Sequence, residues 1–431
     1  MKNAKNILLT VCLVALLSTA CEKKEILQGK REAISGITEV NEFEKSTINS
    51  NLKINLTSPT SISSHTDIAG NKQHNSINYK LNQSPKILWK TSIGNGPINS
   101  DMIAFDGNIY AVNSNGILVC ISQNDGKKLW EKQIAKQPDD GAFSGGLTSN
   151  GSVIYASTNL GDVVAIDTKS QKELWKKSLK YPLRGAPLYV DGKIIVNSIE
   201  NQTFALNASN GNVIWMKTTS REDTIMSESG TPAFFGKDVI CAYSSGDLKS
   251  MELKTGSENW SDVLFSSNVS ESGVVISHIA ASPVVYDGNV LAATSESKMV
   301  LLDGTSGIRI WEKDLGTINT PVINNGWIFV LSNDETVVCL SAKDGSTKWT
   351  SEIKDLYKSK YSEDLKWTGP LLINGDVVVF SDNADTLKLD ASTGKLKTHD
   401  IIENVNAVRP PIIIDGKMFV INSRANIYAV K

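Results

Sequence analysis

The chain has 431 residues, a formal net charge of −2, 40% hydrophobic residues and 21% charged residues. No block or stripe of Lys and Arg occurs, so the footprint of a nucleic-acid binder is missing. Its four His lack metal-ligand spacing to Cys or carboxylates, and neither a Gly-x-Ser-x-Gly elbow nor a phosphate-cradling Gly-x-x-x-x-Gly-Lys loop is present.

Reading from the N-terminus, Lys2 and Lys5 precede an apolar run from Ile7 to Leu17. That run is too short to span a bilayer as a helix and suits a secretory signal. It ends in Ser18-Thr-Ala-Cys21, which resembles a bacterial lipoprotein cleavage box, except that Ser18 stands where Leu is usual. Residues 1–20 are therefore expected to be a lipoprotein signal peptide and Cys21 the lipidated residue. A plain signal peptide cut nearby, leaving Cys21 as a thiol, is the alternative. Glu22 is not the Asp of inner-membrane retention, so the expected location is the outer membrane, facing the periplasm. Residues 21–84 mix charges early and become rich in Ser, Asn, Thr and Gln later. Such a composition buries too little apolar surface to offset its ordering entropy, and a flexible tether is expected.

From Phe105 onward the chain repeats one phrase, a turn ending in Gly followed by a β-rich run. The turns are Asp106-Gly107, Asn150-Gly151, Asp191-Gly192, Phe235-Gly236, Asp287-Gly288, Asn325-Gly326, Asn374-Gly375 and Asp415-Gly416, spaced 44, 41, 44, 52, 38, 49 and 41 residues apart. Asp-Gly and Asn-Gly tolerate the positive φ angles of a type I′ hairpin. A repeat of 40 to 50 residues built from short strands predicts a β-propeller with one four-stranded blade per repeat. A second turn in most repeats places Trp four residues after its Gly, as in Gly126/Trp130, Gly211/Trp215, Gly256/Trp260, Gly307/Trp311 and Gly345/Trp349. Before Trp175 the Gly is replaced by Gln171, and after Gly394 the Trp is replaced by Thr398, a degenerate blade. These rings are expected to fill the wedges between blades. Trp327 and Trp367 fall outside the repeat phase and are candidates for exposed contact surface.

The last repeat stops at Asn426-Ile-Tyr-Ala-Val430, one strand short, whereas residues 85–93 read as a Trp-bearing fourth strand without partners. Pairing the two closes the ring and removes two sheet edges. The expected fold is all-β, an eight-bladed β-propeller over residues 85–431 in which strand 85–93 completes the last blade. Cys120, Cys241 and Cys339 lie in predicted strands of different blades and read as buried thiols, too far apart to bridge.

The repeat resembles the PQQ-type propeller repeat of quinoprotein alcohol dehydrogenases. Those enzymes carry adjacent cysteines over the quinone and a Glu/Asn/Asp calcium site. This chain has no two adjacent cysteines, so no cofactor, no metal and no catalytic residues are expected. Segments such as Asp125-Gly-Lys-Lys-Leu-Trp130-Glu-Lys, Ser282-Pro-Val-Val-Tyr-Asp-Gly288 and Ser306-Gly-Ile-Arg-Ile-Trp311-Glu-Lys-Asp-Leu315 are similar to blades of the BamB family of outer-membrane lipoproteins. That resemblance implies a non-catalytic scaffold that docks on a POTRA domain of the insertase BamA, meets unfolded outer-membrane proteins and holds to the membrane by its lipid. The family's docking loops map only in part. Leu183-Arg184-Gly185 matches a Leu-Arg-Gly loop but one repeat early. The loop matching by order, with Ile225, Met226 and Glu228, lacks the Arg. His278 and Ala280 stand where an acidic pair is expected. Another periplasmic interaction propeller, or a PQQ-dependent dehydrogenase, is the alternative reading.

Overall fold

The computed structural model describes residues 53–82, 86–96, 98, 100–135, 145–183, 185–220, 230–265, 277–357, 365–401 and 405–431. Cys21, the expected signal peptide, Arg184, Ile225, Met226 and Glu228 lie outside them. The described strands form eight four-stranded antiparallel sheets, the blades of an eight-bladed propeller. Blades 1 to 7 span residues 103–133, 145–178, 188–218, 233–263, 284–314, 322–352 and 367–401. Blade 8 joins residues 412–430 to the N-terminal strand Ile87–Ser92, which pairs antiparallel with Asn426–Val430. Ring closure therefore takes the form expected from the unpaired ends of the sequence.

Within each blade the first strand lies innermost and the fourth forms the rim. First strands are short, mostly three residues, and almost wholly buried, as in Ile103–Phe105 and Ile412–Ile414. Fourth strands alternate exposed and half-buried residues, as in Lys128–Gln133. Eight apolar clusters each occupy the seam between two neighbouring blades. Ile109, Ala111 and Val119 of blade 1, for example, pack with Phe419, Ile421 and Ile427 of blade 8. The ring thus has no single core, which is how radial repetition permits its size.

The first-to-second and third-to-fourth turns share one face, here the hairpin face. The second-to-third turns and the connections between blades form the opposite, loop face. Six of the eight hairpins carry positive φ at both central residues, as expected for type I′. Blade 4 departs by one position. Phe235 pairs with Asp238, so Gly236 and Lys237 are the central residues and only Gly236 has positive φ, the type II′ pattern.

The repeated Trp residues are packing elements. A register shift just before each Trp puts an extra residue on the fourth strand, such as Leu129 between Lys128 and Trp130. The bulge turns that residue outward and lays the indole across the seam. Six of the seven rings then cover the turn Gly of the following blade: Trp89 over Gly126, Trp175 over Gly211, Trp215 over Gly256, Trp260 over Gly307, Trp311 over Gly345 and Trp349 over Gly394, whereas the blade after Trp130 has Gln171 at that place. Their indole N–H groups donate to carbonyls of that same next blade, as from Trp349 to Ala391 at 2.8 Å and from Trp260 to Gly304 at 2.8 Å. Thr398 follows the same logic. Its neighbour, blade 8, has no third-to-fourth turn, because its third strand Asn426–Val430 and fourth strand Ile87–Ser92 are not joined in sequence, so the turn Gly that the other rings cover is missing there. Trp327 and Trp367 are not the exposed surface expected of them. Trp327 is buried in the seam between blades 6 and 7, and half-buried Trp367 packs there edge-on to Tyr357.

The tether expected over residues 21–84 does not hold for residues 53–82. These residues lie inside the mouth of the channel on the hairpin face and run once round the ring. Asn55 and Thr57 meet blade 6, Ile62 meets blade 8, His65 blade 1, Thr66 and Asp67 blade 2, Lys72 blades 3 and 4, Gln73 and His74 blade 5, and Tyr79 blade 7. Where the circuit overlaps itself, Thr60 and Tyr79 pair in parallel, and Tyr79 pairs in parallel with Ile373. Ile54 and Leu56 enter the seam between blades 6 and 7, and Ile62, Ile77, Tyr79 and Leu81 that between blades 7 and 8. Composition misleads here because the order comes from partners that the ring supplies, not from apolar content of the segment itself.

Candidate functional site

Two features could engage other molecules: the loop face and the belt that closes the opposite mouth. The loop face collects the connections between blades. Of the connections that hold the residues named from the sequence, the described residues 180–183 and 185–186 between blades 2 and 3, residue 230 between blades 3 and 4, and residues 277–282 between blades 4 and 5 lie on this face. The residues named within them do not themselves form an exposed surface where the structure describes them. Leu183 is buried against Ser198, its amide donating to Thr158 at 3.1 Å. His278 and Ala280 are buried under blades 4 and 5, with the carbonyl of His278 accepting from Ser295 at 2.7 Å. Their neighbours carry the exposed apolar area instead. Phe265 is 68% exposed at the start of the 4–5 connection, and Tyr181, Leu160 and Ile318 are exposed on the same face. Exposed aromatic residues such as Phe265 and Tyr181 are of the kind enriched in protein contact surfaces. Sequence reading missed them because a single aromatic in a connection has no periodicity to reveal it.

His399 is not isolated in space. Its Nε2 lies 2.8 Å from Oδ1 of the buried Asp385, whose Oδ2 accepts from the Tyr357 hydroxyl at 2.8 Å. Tyr357 also meets the imidazole edge-on at 5.1 Å. This trio ties the one-turn helix Ile353–Leu356 and the 6–7 connection to blade 7. The Ser381 hydroxyl donates to the same Oδ2 of Asp385 at 3.3 Å, so the groups around the carboxylate hold one another in the geometry of a clasp. Among the described residues no three His, Cys, Asp or Glu gather closely enough to hold a metal ion. Cys120, Cys241 and Cys339 are free and buried, and burial pushes the Cys120 and Cys241 thiols up to about 11 and about 12. Thiols held protonated in this way are inert.

The belt carries two strongly perturbed histidines and a perturbed carboxyl. Burial drops His65 and His74 from 6.5 to about 4, the bond from His74 Nδ1 to the Pro283 carbonyl (2.9 Å) opposing the shift. Burial also raises the Asp67 carboxyl, against bonds from Thr148 (2.7 Å) and Thr66 (2.9 Å) and the charge of Lys72.

Fold and site together define a class: a PQQ-type repeat propeller whose hairpin-face mouth is filled by its own chain and whose loops converge on the other face. The family model described as outer membrane protein assembly factor BamB matches residues 114–351, more than half of the sequence, and the chain belongs to that family. Among its relatives, the outer membrane protein assembly factor BamB of Yersinia pestis is 21% identical over 357 residues, covering 80% of this chain and 88% of that protein. The protein of the same name from Escherichia coli K12 is 24% identical over 394 residues, covering 80% and 89%. The crystal structure of BamB from Moraxella catarrhalis superposes with a TM-score of 0.68 at 16% identity, over 81% of this chain and 100% of that one. A quinohemoprotein alcohol dehydrogenase from Comamonas testosteroni gives 0.63 at 12% identity, over 85% and 80%. At such identities the solved structures share the fold alone.

Proposed function

We propose that this chain is a non-catalytic assembly scaffold, held at the outer membrane by a lipid on Cys21, that docks on a POTRA domain of a BamA-like insertase and assists the folding of outer-membrane β-barrel proteins. Family membership supports the assembly role. The observation that supports the docking surface is the exposure of Phe265 and Tyr181 on the face opposite the belt. Residue 53 leaves the ring on the hairpin face, beside Asn325 of blade 6. Only residues 22–52 then separate Cys21 from the ring, and the loop face is turned away from that point of departure. Rigid blades are a good mount for recognition by loops.

Affinity purification of the tagged full-length chain from mildly solubilised membranes, with mass spectrometry of the bound proteins, tests the reading. The insertase is expected in good yield, and Phe265→Ala with Tyr181→Ala is expected to lower its recovery at least tenfold with no change in Tm. Recovery of other envelope proteins without the insertase would refute the docking reading and reassign the propeller to that partner.

A further inference from the structure

We propose that the inner rim of the ring is a receptor for extended polypeptide, and that residues 53–82 are the occupant it holds in cis. The first strands present their free edges to the channel, and six blades each donate one main-chain amide to a carbonyl of the belt. Ala104 donates to His65 (2.8 Å), Ser149 to Thr66 (3.1 Å), Phe234 to Lys72 (2.8 Å), Val285 to Gln73 (2.8 Å), Asn374 to Tyr79 (2.9 Å) and Asp415 to Ile62 (2.9 Å). The belt returns amides from His65 to Ala104 and from Tyr79 to Leu372. At His65 with Ala104 and at Tyr79 with Ile373 the bonding amounts to a bridge of the kind that adds a strand to an exposed sheet edge, and at the other four blades a single amide of the blade bonds the belt. Main-chain bonds of either kind place little demand on the sequence of the guest.

The belt also fits less well than the blades it rests on. Nδ1 of His65, Nε2 of His74 and Oδ1 of Asn75 are buried without a hydrogen-bond partner. Ala69 and His74 hold left-handed backbone angles, each with φ of 55°. Unpaired buried polar atoms and strained non-glycine residues are costly, and they gather in elements that open before the rest of a fold. Residues 83–86 are the belt's covalent link to the outer strand of blade 8. A guest bound by backbone, under local strain and joined at one end has the construction of an exchangeable ligand. The chemical class the rim accepts is an extended chain of L-residues. Identifying that chain in trans with an unfolded outer-membrane strand rests on the assembly reading above, whereas the exchange itself does not.

The test uses the full chain, with a specific protease site introduced within residues 83–85 and cut after folding. A fluorescent peptide copying residues 53–82 is expected to enter the cut protein one per ring, at least tenfold faster than the uncut one. An unlabelled peptide copying an outer-membrane barrel strand should displace it, and the all-D form of that peptide should not. Failure of the labelled peptide to enter, or equal displacement by the all-D form, would overturn the proposal. In the uncut protein, amide hydrogen exchange gives an independent readout. The amides of Ala104, Ser149, Phe234, Val285, Asn374 and Asp415 should exchange at least a hundredfold faster than those of third-strand residues such as Val119 and Val164. Exchange of both sets at one rate would show the belt to be an integral part of the ring and overturn the proposal. A protein that binds the insertase yet refuses the labelled peptide sinks this inference alone. One that takes the peptide but recovers no insertase sinks the assembly reading alone.

Discussion

Replacing Gly394 with Ala, with Gly107→Ala as its control, measures what the Trp-over-Gly seam contributes. Both glycines have φ of +70°, so both substitutions incur the same left-handed cost of about 1 kcal/mol. A Cβ on Gly107 meets nothing within 4 Å. On Gly394 it would lie 2.5 Å from Cε3 of Trp349 and 2.6 Å from Oγ of Ser351. Trp349 cannot simply slide away. Its indole N–H is bonded to Ala391 at 2.8 Å, and its ring packs against Phe329 in the seam between blades 6 and 7. Forcing it aside adds about 1–3 kcal/mol of overpacking, with a share of the hydrogen bond lost besides. Gly107→Ala should therefore cost about 1 kcal/mol and Gly394→Ala about 2–4 kcal/mol in urea unfolding followed by circular dichroism. Equal losses, within about 0.5 kcal/mol, would refute the idea that these turns are glycines because of the facing ring.

Three further outcomes follow from the same geometry. Thr398→Trp should stabilise the protein by less than about 0.5 kcal/mol in the same assay, because blade 8 has no turn for the new ring to cover. Acid should loosen the belt, read as protease or hydrogen-exchange protection of residues 53–82 between pH 8 and pH 4. With folded values near 4 against 6.5, His65 and His74 contribute stability that is complete above pH 6.5 and lost as pH falls toward 4. Full protonation costs on the order of 3 kcal/mol per His. The raised Asp67 has the opposite sign and offsets part of the loss at the acid end, and His65→Gln with His74→Gln should flatten the profile. Cys120, Cys241 and Cys339 should resist thiol reagents in the native state at pH 8 and react stoichiometrically in urea.

What could be read from the chain and what could not divide along a physical line. The hairpin dipeptides, the strand runs and the Gly-to-Trp spacing are local signals, and they carried the blade count and the join between 87–92 and 426–430. Trp327 is buried against the expectation because repeat phase is no guide to exposure. It opens the second strand of blade 6, where burial follows from the neighbouring blade, not from its own register. Leu183 is named by its Leu-Arg-Gly motif and His278 and Ala280 by their place in blade order, and all three lie on the loop face, buried. Whether a connection residue turns outward or tucks beneath its blade is decided by neighbours distant in sequence, which is why Phe265 and Tyr181 went unseen.

The belt is the sharper case. Its composition argues for disorder only if the segment must pay for its own ordering with its own apolar side chains. In a propeller that condition fails, since the ring arrives with a circle of unpaired inner edges that need hydrogen-bond partners as much as the segment does. Ser, Asn and Thr are then suited to the place. Thr57 bonds Asn324, Asn78 donates to Thr57 and accepts from Gly375, and Asn374 donates to Leu81, all at 2.7 to 2.9 Å. Polar content that reads as a linker in isolation becomes the means of satisfying two sets of backbone groups at once. The same reasoning explains why the circuit closes on itself at Thr60 and Tyr79. A belt that added one strand to blade 7 and stopped would expose a fresh edge there, and its own returning chain covers it.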